Sequence, residues 1–261
     1  MRGRVAARLR ASWQEIHGDA AFSFEPFVVL ATAAVALTLQ EYLGTAERAS
    51  AGLAWLARRG GALGAAAVTI GRGPFYELAC YAYWGLACAA GYVLLPVLVL
   101  RRLRPGEPLA SFGWSVRGLR GHGLTYLILF LAVLPLVAAA ALRPDFLRTY
   151  PFYALAGRSL LDFLCWEGIY ALQFVSLEFF FRGFLLHTLK RDLGAHAIFV
   201  AVVPYCMIHF SKPLPEALGA IVAGIVLGTL SLRTGSILGG VMLHVAVAVT
   251  MDVLALARKA A

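Results

Sequence analysis

From Leu124 to Leu142 the chain runs without one charged residue. A helix rises ~1.5 Å per residue, so such a run nearly matches the ~30 Å hydrocarbon core of a bilayer. Phe27–Gly44 is uncharged as far as Glu41, and Phe75–Leu100, Leu160–Leu189, Leu214–Leu232 and Ser236–Ala257 are further long apolar runs. His196–His209 is a shorter one containing Pro204. A soluble domain is about half apolar and a quarter charged. This chain of 261 residues is 61% hydrophobic and 14% charged, with a mean hydropathy of +0.77. The expected fold is all-α: a polytopic transmembrane helical bundle with about seven spans. An eighth is allowed if the Gly-rich stretch Ala46–Pro74 enters the membrane. A loop carrying an interfacial helix is the expectation for that stretch.

The formal charge of +9 belongs to loops facing anionic headgroups. No recognition motif points to nucleic acid. Cys80, Cys88, Cys165 and Cys206 lie in apolar runs without metal-ligand spacing and read as inert thiols. The chain contains no asparagine, which excludes N-linked glycosylation. Residues 1–26, with Arg2, Arg4, Arg8 and Arg10, form a basic segment expected at the cytoplasmic surface. No apolar core follows those arginines as a signal peptide would require. Residues 27–261 are expected to form one membrane domain. With the N-terminus in the cytoplasm, Arg101, Arg102, Arg104, Lys190, Arg191 and Arg233 all fall in cytoplasmic loops, in accord with the positive-inside rule.

The chemistry is expected in 159–257. Glu178 and Arg182 stand one helical turn apart inside an apolar run, Tyr205 precedes His209 by four residues, and His244 lies in the last span. Ionisable groups inside a membrane segment are costly and commonly functional. Counting ~1.5 Å per residue from one membrane face puts Glu178 at ~18 Å, His209 at ~20 Å and His244 at ~12 Å. All three can therefore share one depth near the bilayer middle. One carboxylate and two imidazoles suit either a divalent metal, zinc in first place, held by Glu178, His209 and His244, or a metal-free site. In the second case Glu178 activates water and a histidine stabilises the oxyanion. Arg182 would keep Glu178 ionised. Glu167 and Asp252 are possible further lining groups, and His187 points away. Taken singly, these residues also suit a structural ion pair, an interfacial histidine and a helix-to-helix hydrogen bond.

The ordered set resembles the CAAX-protease and bacteriocin-processing family of intramembrane endopeptidases. The family pattern is Glu-Glu-x-x-x-Arg, aromatic-x-x-x-His and His-x-x-x-Asn on separate helices. The corresponding segments here are Leu177-Glu178-Phe179-Phe180-Phe181-Arg182-Gly183, Tyr205-Cys206-Met207-Ile208-His209 and His244-Val245-Ala246-Val247-Ala248. The likeness runs from about Val175 to Ala248 and includes the Gly-rich helix and the Thr234-Gly235-Ser236 turn. It implies a helical membrane fold, proteolysis of membrane-anchored or membrane-inserted peptides, catalytic Glu178, Arg182, His209 and His244, and a place in a bacterial cytoplasmic membrane. Leu177 occupies the first glutamate position and Ala248 the asparagine position. A homologue that binds a membrane peptide or partner without cutting it is therefore an alternative, and an ion-coupled transporter is another.

Overall fold

A computed structural model describes residues 23–116, 119 and 121–260, with scattered residues between 4 and 15. Most of the basic segment 1–26 lies outside the described residues. Among the described residues every regular element is helical, and six helical runs are long and apolar enough to cross a membrane. The protein is an all-helical polytopic bundle.

The first span, α1 (Phe24–Leu43), is followed by two short helices, α2 (Ala46–Arg59) and α3 (Gly61–Arg72). Thr45 caps α2 by accepting from the Arg48 amide. Gly60 and Gly61, at φ 72° and 69°, turn the chain back in a region that side-chain-bearing residues avoid. At ~1.5 Å per residue these helices reach only ~20 Å and do not cross. The Gly-rich stretch is thus a helical hairpin, packed on the next span through Ser50 and Tyr76, whose hydroxyls lie 2.6 Å apart.

α4 (Tyr76–Leu103) returns to the starting face, where its end meets the start of α1 in a 2.6 Å ion pair between Arg104 and Glu25. α5 (Gly123–Ala140) and the short α6 (Pro144–Thr149) follow. α7, residues 160–193, begins with Ser159, whose hydroxyl accepts from the Asp162 amide and donates to its carboxylate, a capping arrangement that satisfies free first-turn groups. Arg158 and Tyr153 complete the coordination of that carboxylate.

A 3-10 turn at Gly194–His196 reverses the chain into α8 (Ala197–Met207). α8 has eleven residues, ~16 Å by its rise. The fifth span expected from the sequence is therefore a half-length arm, and Leu160–Met207 counts as one candidate span of the six. α9 (Leu214–Thr234) ends at Gly235 in the left-handed conformation, the common helix stop, and α10 (Leu238–Ala260) closes the chain.

α7 is the axis of the bundle. Residues 176–189 are all buried, packed by α1, α4, α8 and α9. Gly224 of α9 has no room for a Cβ beside Val202 of α8, and a Cβ on Gly228 would crowd Ile198 at 3.2 Å. The GxxxG pattern thus serves a neighbouring helix of the same chain.

Candidate active site

Glu178 ends the regular part of α7, and the next eight residues, Phe179–Leu186, adopt π-helical geometry. Such widened turns recur at functional sites. The Glu178 carboxylate is 1% exposed. Its Oε1 lies 3.2 Å from Arg182 Nη1 and 2.8 Å from His244 Nδ1. Both are ion-pair distances without hydrogen-bond alignment, so Arg182 Nη1, Arg182 Nη2 and His244 Nδ1 are buried polar atoms outside any hydrogen bond. Gly240 of α10 makes the approach possible: a Cβ there would stand 2.5 Å from Glu178 Oε2.

Tyr205 of α8 joins the rest. Its hydroxyl is 2.9 Å from His244 Nε2, the Arg182 guanidinium sits 4.1 Å over its ring, and its carbonyl accepts a 2.8 Å bond from His209 Nδ1. The rings of His209 and His244 stand 4.9 and 6.3 Å from the Tyr205 ring. Phe174, one turn before Glu178, stacks on His244 at 5.3 Å and 9°. Glu178 and His244 touch, and His209 reaches them through Tyr205. The sequence marks Tyr205 only as the aromatic before His209. Gly240, four residues before His244 and so on the same helix face, carried a findable signal. Phe174 carried none.

The other polar residues lie elsewhere. Asp252 is fully buried and accepts a 2.6 Å bond from Trp166 Nε1, in the aromatic region that Glu167 adjoins. His187 pairs with Ser231 and Lys190. Just past His209, Glu216 binds Lys212 at 2.9 Å and accepts from the Tyr150 hydroxyl at 2.6 and 2.7 Å. Burial, reinforced by negative neighbours including Glu216, pushes the Tyr150 hydroxyl's pKa up. It stays a donor, and the turn carrying His209 is tied to the loop before α7.

Leu177 and Ala248 are both buried, in two different apolar clusters. Leu177 packs in the large core with phenylalanines of the π segment, and Ala248 packs with Trp166 and Tyr170. The donor set also bears on a metal. Among the described residues no three His, Cys, Asp or Glu side chains are grouped to hold one. His244 already faces Glu178 with one nitrogen and Tyr205 with the other, while His209, its Nδ1 bonded to a carbonyl, keeps Nε2 free. Glu178 and His244 stand together and His209 is set apart from them by Tyr205, so the three are not gathered as one ligand set in this arrangement.

An apolar helical bundle with a carboxylate, a guanidinium and imidazoles gathered inside it defines an integral membrane protein with a buried polar site. Comparison with known families adds a similarity over part of the chain: residues 159–250 match the family model described as Type II CAAX prenyl endopeptidase Rce1-like. The match spans the Glu178, Tyr205 and His244 motifs and agrees with the CAAX-protease resemblance read from them. No curated protein and no solved structure matches the chain.

Proposed function

We propose that this protein is an intramembrane endopeptidase that cuts membrane-anchored or membrane-inserted peptides, working at Glu178 with Arg182, His209 and His244. The observation that carries the reading is the 2.8 Å approach of His244 to Glu178 inside the segment that matches a protease family. The substrate class follows from that family's description and from the membrane setting of the site.

In this reading the Arg182 charge keeps Glu178 ionised in a region that would otherwise favour the neutral acid. Glu178 takes the proton of a water attacking the scissile carbonyl and returns it to the leaving amine. An imidazole N–H stabilises the oxyanion, and Tyr205 and Phe174 hold His244 in orientation. The donor set supports a metal-free route. The N-terminus and the loops that carry Arg101, Arg102, Arg104, Lys190, Arg191 and Arg233 are assigned to the cytoplasm of a bacterial cell.

A second reading is favoured by the tight surroundings of Glu178 and by the apolar packing of Leu177 and Ala248: a homologue that binds a membrane peptide without cutting it. Comparing membrane-peptide termini in cells with and without the protein separates the two. New termini that vanish with Glu178→Gln support proteolysis; unchanged termini beside a co-purifying peptide support the binder.

A further inference from the structure

The first turns of α4 and α7, beside the α2–α3 hairpin, enclose a feature that proteolysis does not use. An open apolar groove of about 500 Å³ runs between α4 and α7, lined by residues including Phe75, Ala79, Ala82, Cys165, Gly168 and Leu172. Small residues create it: a Cβ on Gly168 would meet nothing within 4 Å. The groove lies at the same end of the bundle as the hairpin, because Arg158, just before α7, donates a 2.8 Å bond to the Pro74 carbonyl and covers the Phe75 ring at 5.1 Å.

The hairpin supplies charge at that end. Residues 46–72 contain Arg48, Arg58, Arg59 and Arg72 against a single acid, Glu47. All four arginines are exposed. Arg48, Trp55 and Arg59 follow helical spacing along one outward face of α2, with the Arg59 guanidinium 4.5 Å over the Trp55 ring. Leu63 and Ile70, one seven-residue step apart, expose an aliphatic stripe on α3. Arg72 ends α3 three residues before the groove begins at Phe75. The other charges at this rim are already engaged: Arg158 with Asp162, and Glu77 with the Ala154 amide.

A hairpin too short to cross, joining two spans at one face, must lie at the bilayer surface. Basic residues beside tryptophan and aliphatic side chains are the composition that holds a helix in that interface, and arginines there attract anionic headgroups. We propose that the groove and hairpin together form a binding site for an anionic phospholipid. One acyl chain lies in the groove past Gly168, and the phosphate sits against Arg72, which ends α3 beside the groove mouth. The volume falls within the ~300–1,000 Å³ of small-molecule sites, and the uniformly apolar lining suits a hydrocarbon chain.

Cys165, exposed in the groove, provides the footprint. The full-length protein in detergent is alkylated with N-ethylmaleimide, and the rate at Cys165 is read by mass spectrometry with added phosphatidylglycerol or phosphatidylcholine of identical chains. Phosphatidylglycerol is expected to slow Cys165 several-fold more than phosphatidylcholine does. The variant Arg72→Gln is expected to erase the difference. Gly168→Leu is expected to remove the extra thermal stabilisation given by phosphatidylglycerol. Equal protection by both lipids in the wild type would overturn the proposal. So would a farnesyl-cysteine ester that protects Cys165 where phosphatidylglycerol does not, because the groove would then hold a prenyl chain. None of these readouts requires proteolysis.

Discussion

α5 and the second half of α7 are both apolar helical runs, yet their surroundings are opposite. Only 11% of the α5 span window is buried within the protein, against 67% for the run that contains α7. α5 carries no charge and turns Leu124, Leu127, Ile128, Leu131 and Leu136 outward. Residues 176–189 are enclosed on all sides and hold Ser176, Glu178, Arg182, His187 and Thr188 as buried polar groups. Hydropathy finds both helices. What separates them is that charge is tolerated at membrane depth only where protein, rather than lipid, surrounds it. The same enclosure that makes Glu178 and Arg182 affordable also brings His244 and Tyr205 against them.

The contrast can be broken by substitution, and the largest effects are expected on α7. Arg182→Leu removes the partner of a buried carboxylate and should cost ~3–5 kcal/mol, read as a lowered melting temperature in detergent. A wild-type melting curve would mean that Glu178 is neutral or solvated and the enclosure misjudged. Leu177→Glu inserts a second carboxylate into the large apolar core and should destabilise by several kcal/mol, on the order of an unpaired buried charge. A stable variant with new or faster peptide cleavage, above all combined with Ala248→Asn, would show instead that the position opens toward the reacting groups. Gly240→Ala forces the Glu178 carboxylate away from α10, with a cost of ~1–3 kcal/mol typical of overpacking. Tyr205→Phe loses one hydrogen bond to His244, worth ~0.5–1.5 kcal/mol. At the far end of the scale, Leu131→Ala on α5 should stay within ~0.5 kcal/mol, as surface changes do. A comparable loss at Leu131 and Gly240 would erase the distinction between the two helices.

The sequence showed much of this architecture, for identifiable reasons. The uncharged run of α5 and the arginine-stopped end of α4 mark spans by length and charge alone. Glu178, Arg182, His209 and His244 stand out because charge is rare in such runs. The Arg58-Arg59 pair and the glycines mark 46–72 as too broken to span but do not show its two-helix form, which depends on backbone angles at Gly60 and Gly61. The sequence marks His196–His209 as a short run, and α8 within it ends at Met207, past Pro204. The π segment at 179–186 leaves no compositional trace, since phenylalanine and leucine suit either geometry. The role of Tyr205 depends on three helices meeting, and the two apolar environments of Leu177 and Ala248 likewise exist only in the folded chain.

The most direct test of the central claim is cleavage of a membrane-anchored peptide by the purified protein in liposomes, comparing wild type with Glu178→Gln and mapping product termini by mass spectrometry. The glutamine keeps the size of the side chain and removes its charge. The account predicts a defined internal cut by the wild type and a rate reduced ~10²–10⁴-fold in the variant, the usual loss with a general base, with elution and melting behaviour showing that both remain folded. Equal cleavage by the two proteins, or none by a folded wild type across a set of anchored peptides, would contradict it.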